Sequence, residues 1–237
     1  MYDLSAAGPA TRVIVWLGGA AFVATLAATL GTFYIGMGPA PVGANAAWAA
    51  FGDILLFSAF ALHHSLFARP VVKRWLTRRV PPHLERSVYV WIASALLLAV
   101  VAGWQPLPGR AYRHSGWTAV PHWTIVLAGV WLTVRATQII DALQLAGIRQ
   151  GLGTTVNDRF QVVGPYHVVR HPIYLGWMLM VFAVPDMTWT RFMFAAVSSA
   201  YLIVAIPFEE RSLVESFAPA YVEYQRTVRW RLVPGVW

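Results

Sequence analysis

Long apolar runs, broken by short polar stretches rich in arginine, proline or glycine, set the pattern of this chain. A helix needs about 20 predominantly apolar residues to cross the hydrocarbon core of a bilayer. Windows at about 13–36, 46–68, 88–107, 121–145, 172–187 and 191–208 meet or approach that length. The pattern predicts an all-α integral membrane protein with about six transmembrane helices. The last two windows are the shortest, and Met187 to Thr190 barely separates them, which suits a helical hairpin that does not cross at full depth. The polar stretch after 208 predicts a C-terminal amphipathic helix on the cytoplasmic side. Residues 1–237 read as a single membrane domain, with a four-span N-terminal part over 13–145 and a C-terminal part over 146–237.

Composition strengthens this reading. Hydrophobic residues make up 58% and charged residues 12%, with a mean hydropathy of +0.55, outside the range of soluble domains. Residues 1–12 lack a signal-peptide pattern, so the first apolar run reads as a retained span. The absence of cysteine excludes disulfides, thiolate metal sites and a cysteine nucleophile.

The net charge of +8 raises nucleic acid as a partner, but in a membrane protein basic residues report topology first. Arg12 precedes span one. Arg69, Lys73, Arg74, Arg78, Arg79 and Arg86 lie between spans two and three, and Arg149, Arg159 and Arg170 between four and five. Arg211, Arg226, Arg229 and Arg231 follow span six. With six spans these all fall on one side, leaving Arg110, Arg113 and Arg191 opposite. The expectation is a bacterial-type inner membrane protein with both termini in the cytoplasm, surrounded by lipid and binding no nucleic acid. Tryptophans such as Trp48, Trp75, Trp104, Trp117, Trp123 and Trp189 near span ends fit the interfacial preference of that ring. Gly18, Gly19, Ala20, Ala24, Ala27, Ala28 and Gly31 in span one suit close helix packing.

Ionisable residues inside spans are costly and mark candidate sites. Span four carries Arg135, Gln138, Asp141 and Gln144, the last three repeating every third residue along one side of a helix. His63 and His64 end span two, about 100° apart on the helix, so they do not form a two-ligand metal clip unaided. His167 and His171 have HxxxH spacing, but a membrane di-iron oxygenase needs roughly eight histidines in several boxes. This chain has seven, with His83, His114 and His122 scattered, so no metal is expected. Gly147, Gly151 and Gly153 form a loose cluster, and no dinucleotide or P-loop motif is present.

The most informative stretch is GPYHVVRHPIYLGW, from Gly164. Pro172 fits the first position of a helix, which puts His171 at or beside its N-cap. That end of the helix suits an anionic group. If spans five and six form a hairpin, Glu209 and Glu210 approach His171, a combination suited to a zwitterionic ligand.

Gly164-Pro165-Tyr166, then Arg170-His171-Pro172 with Tyr174 and Gly176, then Glu209-Glu210, then Phe217, Tyr221 and Tyr224 resemble the membrane methyltransferases related to isoprenylcysteine carboxyl methyltransferase and the phospholipid methyltransferases. This motif covers about 60 C-terminal residues. Upstream, HHSLFAR (63–69), ERSVYV (85–90) and AGIRQ (146–150) look like the bacterial branch of methanethiol S-methyltransferases and NnrU-like proteins. Where the family carries glycine after the phenylalanine, this chain has Ala218 followed by Pro219, so its helix break is expected to be made differently.

The resemblance implies an S-adenosylmethionine-dependent methyltransferase whose C-terminal part holds the cofactor. It implies cofactor contacts from His171, Pro172, Tyr174, Glu209, Glu210 and Gln150, with Tyr166 and Arg170 shaping the pocket. Methyl transfer from a sulfonium needs alignment and exclusion of water, and a thiol acceptor must also lose its proton. An arginine such as Arg170 or Arg135 would favour the thiolate, so Arg170, Tyr166 and Arg135 are the catalytic candidates. Tyr166, Tyr174 and Trp177 offer aromatic faces to a sulfonium. The expected acceptor is a small or lipophilic molecule entering from the bilayer, first a thiol such as methanethiol. Methylation of an isoprenyl-cysteine or lipid amine, an NADPH-dependent membrane reductase and a non-enzymatic NnrU-like role are the alternatives.

Overall fold

The computed structural model describes residues 8–41, 43–67, 70–140, 143, 146–152 and 162–237. Asp141 and Gln144 of the polar stripe, Gly153, Arg69 and Arg159 lie outside them. Among the described residues the regular structure is helical, apart from one two-stranded ribbon. Among the described residues, five helical segments are long and apolar enough to cross a membrane: Pro9–Gly36, Ala46–Phe67, Pro82–Gly103, Gly116–Ile140 and Trp189–Phe217. It is an all-helical, multi-pass membrane protein.

The fifth apolar window differs from the other five. It forms only the 11-residue helix Pro172–Phe182, about 16 Å at 1.5 Å per residue, half the hydrocarbon thickness. The sixth is longer than its apolar run suggests, extending unbroken from Trp189 to Phe217. The expected end near residue 208 is therefore corrected. Proline forfeits one backbone donor in mid-helix, but side chains two to three turns on hold the helix: Leu213, Val214 and Phe217 pack on the buried Tyr221–Tyr224–Val228 cluster.

Two compact units partition the fold. The first comprises 1–36, 47–105 and 141–157. It contains α1 (Pro9–Gly31), α2 (Ala46–Phe67), α3 (Pro70–Leu76), α4 (Glu85–Gly103) and the short α6 (Ile148–Gly151). Helix α1 packs closely against α4 and α6 where side chains vanish. A Cβ on Gly18 would lie 2.9 Å from the Trp91 indole nitrogen, and one on Gly19 2.6 Å from Ile148. The Trp91 indole donates to Ile14 O at 3.1 Å. Asp53 is fully buried in α2 and accepts the Gln105 backbone N–H at 2.8 Å, tying α2 to the end of α4.

The second unit comprises 37–46, 106–140 and 158–237. It contains β1 (Arg110–Arg113), α5 (Val120–Ile140), α7 (Pro172–Phe182), β2 (Asp186–Thr188), α8 (Trp189–Phe217) and α9 (Ala220–Thr227). Strands β1 and β2 pair antiparallel. Their ribbon is fastened by Arg110 to Asp186 at 3.1 Å and by Arg191, which donates to Asp186 O at 2.7 Å. Helices α5 and α7 meet at two glycines: a Cβ on Gly176 would fall 2.3 Å from Thr133 Oγ1 and 2.8 Å from Gly129 O. The motif glycine thus lets the short α7 lie against α5, fixing the direction in which its N-terminus presents His171. Helix α8 starts cleanly, with Thr188 accepting Arg191 N–H at 3.1 Å as N-cap. It ends at extended Ala218, before a cis Pro219 that opens α9. The departure from the family glycine at 218 is met by this Ala-Pro turn.

Candidate active site around Glu209 and Glu210

Pro172 occupies the start of α7 and His171 is its N-cap, with the His171 carbonyl accepting Tyr174 and Leu175 N–H at 3.1 Å each. The backbone of this entry is held from outside the helix. Arg170 N–H donates to Trp230 O and His171 N–H to Arg231 O, both at 2.9 Å. The C-terminal segment after α9 therefore clamps the motif, and its own end is closed by Arg231, Leu232 and Val233 donating to Trp237 O.

On the facing α8, Glu209 and Glu210 are consecutive and so project about 100° apart. That separation gives them different environments. The Glu210 side chain is 5% exposed and is surrounded by donors. Arg170 Nε donates to Oε1 at 2.7 Å, and His171 Nε2 lies 3.3 Å from the same oxygen. Gln225 Nε2 and Arg231 Nε reach Oε2 at 3.3 and 3.2 Å. Arg170 is 7% exposed and also donates through Nη1 to Val228 O at 2.8 Å and Arg229 O at 3.1 Å. Two cations against one carboxylate, with carbonyls taking further donors, make a compensated buried network of the kind a folded chain tolerates.

Glu209, by contrast, is 44% exposed. Tyr174 donates its hydroxyl to Oε2 at 2.7 Å, and His171 Nδ1 lies 3.6 Å from that oxygen. The His171 and Tyr174 rings stack, with centroids 5.3 Å apart and planes at 20°. A carboxylate has about four lone-pair sites, so Glu209 keeps acceptor capacity beside an aromatic pair, and Glu210 has spent its own on the framework.

The tyrosines complete the surround. Tyr221 and Tyr224 are buried, and the Tyr224 hydroxyl donates to Tyr166 O at 2.8 Å, joining α9 to the GPYH turn. Burial pushes all three phenols above their ordinary value. Tyr224 and Glu209 add to the rise at Tyr166, as does Glu210 at Tyr221. They remain neutral hydroxyl donors across the physiological range. Trp177 donates its indole N–H to Ser198 at 3.0 Å.

Of the residues singled out in the sequence, the fold brings Tyr166, Arg170, His171, Pro172, Tyr174, Glu209 and Glu210 into one neighbourhood of the second unit. Arg135 is exposed on α5 and hydrogen-bonds Gln138 at 3.4 Å. Gln150 sits in α6 of the first unit, its amide oxygen buried with no hydrogen-bond partner among the described residues. Gln225, Arg231 and the carbonyls of 228–231 were not legible as site components. Arg231 reads in the sequence as one more topology charge, and a carbonyl clamp leaves no residue-type signal.

A family model described as "Protein of unknown function (DUF1295)" matches residues 67–228. Among curated proteins, the chain is 37% identical over 185 residues to methanethiol S-methyltransferase 2 of Bradyrhizobium diazoefficiens, covering 74% of this chain and 70% of that protein. It is 35% identical over 198 residues to the methanethiol S-methyltransferase of Mycobacterium tuberculosis, covering 80% and 78%. Nurim of Xenopus laevis is 31% identical over 167 residues, covering 63% and 57%. No solved structure matches the chain.

Proposed function

The chain belongs to the DUF1295 family and to the methyltransferase-like group of its methanethiol S-methyltransferase relatives, and from that membership we propose that it transfers a methyl group from S-adenosylmethionine to a small thiol such as methanethiol. The observation that carries this reading is the His171–Glu209 pair. It sets an open carboxylate beside a stacked imidazole and phenol, on a frame fixed by the buried Glu210 network.

The donor set fits the methyl donor. An ammonium or ribose hydroxyl on a ligand needs an acceptor, which Glu209 provides. A sulfonium is steadied by aromatic faces, which Tyr174 and Tyr166 provide. S-adenosylmethionine supplies a methyl carbon already activated on a positive sulfur, so this chain's residues have to bind, align and exclude water. Glu209, His171 and Tyr174 are the contact residues. Glu210, Arg170 and Arg231 are positioning residues whose charges are spent on one another. Pro172 contributes by starting α7, and Gly176 by letting it approach α5.

This division revises the part expected of Arg170. Its Nε and Nη1 serve Glu210, Val228 and Arg229, so stabilising a thiolate falls to another cation. The side of action is the cytoplasmic face of a bacterial-type plasma membrane, with both termini on that side. The arginines flanking the motif support that orientation through the positive-inside rule.

The test is a cofactor titration of the purified full chain in detergent. S-adenosylmethionine is expected to bind at micromolar concentrations and NADPH not to bind. NADPH binding without S-adenosylmethionine binding would replace this reading with the reductase one.

A further inference from the structure

The connection between the second and third spans is the most basic stretch of the chain, and the donor site does not use it. Spans Ala46–Phe67 and Pro82–Gly103 follow one another. Residues 68–81 therefore join them at a single membrane face, and α3 (Pro70–Leu76) lies there. Lys73, Arg74, Arg78 and Arg79 fall in this connection, whereas no aspartate or glutamate occurs between Asp53 and Glu85. The backbone continues past Leu76 as a helical turn. Thr77 N–H donates to Lys73 O, and Arg79 and Val80 N–H both donate to Leu76 O, each at 2.9 Å.

Helical periodicity sorts this segment into two faces. Leu76 is buried, at 7% exposure, and ties α3 to its unit. At about 100° per residue the opposite side carries Arg74 and Arg78, one turn apart, with Trp75 and Arg79 on the adjoining strip. All four are exposed, and the Arg79 guanidinium carbon lies 5.3 Å from the Trp75 ring centroid. Among the described residues no carboxylate pairs with Lys73, Arg74, Arg78 or Arg79. Like charges at i and i+4 repel, so Arg74 and Arg78 stand against a penalty that an anion shared between them removes. Guanidinium groups pair with phosphate bidentately, and an exposed indole is favoured at the membrane–water interface.

We propose that the 73–79 segment is a binding surface for anionic phospholipid headgroups, with Arg74, Arg78 and Arg79 holding the phosphates and Trp75 seated at headgroup level. The occupant is lipid because the two spans keep the segment in the headgroup layer, and it is anionic because four cations there lack a carboxylate. Each basic residue near an anionic membrane surface strengthens the attraction about 5-fold, and the effect fades within a Debye length. All of these residues belong to the first unit, and the surface stands whether or not the chain methylates a thiol.

The chain has no cysteine, so T77C carries a single fluorophore beside this surface in the otherwise native full chain. The labelled protein is reconstituted in phosphatidylcholine bilayers that contain a small fraction of nitroxide-labelled phosphatidylglycerol or, in the parallel sample, nitroxide-labelled phosphatidylcholine. Quenching by the two is compared at low salt. Association with phosphatidylglycerol is expected to exceed that with phosphatidylcholine by at least about 5-fold, and the preference to shrink in about 0.5 M salt. Adding R74Q/R78Q/R79Q, all at exposed positions, is expected to bring the ratio within about 2-fold of unity. Adding R78Q/R79Q alone, beyond the end of α3, is expected to give an intermediate ratio, and this variant leaves the helix itself untouched. Equal quenching by both lipids before any arginine is replaced, a preference that does not respond to salt, or one that both arginine variants keep in full overturns the proposal.

Discussion

Replacing each of the two adjacent glutamates by glutamine separates frame from binding. In Glu210→Gln, the Arg170 guanidinium, 7% exposed, loses the carboxylate that holds it at 2.7 Å. Breaking a buried pair by neutralising one partner costs about 3–5 kcal/mol. The lower end applies here, because Arg170 Nη1 keeps the Val228 and Arg229 carbonyls, Arg231 is a third exposed, and the new amide oxygen still accepts. At about 2–4 °C per kcal/mol for a chain of this size, apparent Tm in detergent is expected to fall by about 6–12 °C. Glu209→Gln disturbs a partly exposed pair worth about 0–1 kcal/mol, and Tyr174 retains an acceptor. Tm is then expected to move by less than about 4 °C. The donor, however, loses a charge-assisted bond of about 1.5–3 kcal/mol, which weakens its Kd by about 10- to 100-fold. Thermal unfolding of both variants and calorimetric titration with S-adenosylmethionine read the two effects apart. Equal behaviour of the variants, or an E210Q protein with wild-type Tm, would refute the division of labour.

Gly176→Ala puts a methyl 2.3 Å from Thr133 Oγ1 and 2.8 Å from Gly129 O. Overpacking of this kind costs about 1–3 kcal/mol, so Tm should fall by several degrees. Gly52→Ala, whose Cβ meets nothing within 4 Å, should show no loss. Tyr166, Tyr221 and Tyr224 have folded-state phenol values raised by burial. Above pH about 10 the unfolded chain loses those protons first, so it binds fewer protons than the native state and stability falls with rising pH. Tyr224→Phe should make the alkaline decline of Tm shallower. It should also cost about 1 kcal/mol at pH 7 through the lost bond to Tyr166 O.

The spans were legible because lipid demands long apolar runs, and the motif because Arg170, His171, Pro172, Tyr174 and Glu209-Glu210 keep their spacing. Apolar length alone did not show that the 172–187 run would yield an 11-residue helix, since Ala183, Val184 and Pro185 are as apolar as the helix before them. Nor did it show that α8 would pass through Pro207, because packing two to three turns later decides that. The different fates of Glu209 and Glu210 follow from 100° of helix rotation against partners as distant in sequence as Gln225 and Arg231. Residue pattern alone does not carry that information. His63 and His64 fail as a metal clip on helical geometry, and the structure instead groups them with Tyr89 and Arg86, which lie more than 20 positions further along the chain.

The central claim is methyl transfer to a thiol. It is tested most directly by incubating the purified full chain with methyl-labelled S-adenosylmethionine and methanethiol and assaying the headspace for labelled dimethyl sulfide. Labelled dimethyl sulfide whose rate of formation falls about 10- to 100-fold in Glu209→Gln at sub-saturating donor is the expected result. Bound donor with no labelled thioether from methanethiol or any other thiol, and label recovered instead in a prenyl-cysteine or lipid, would contradict it.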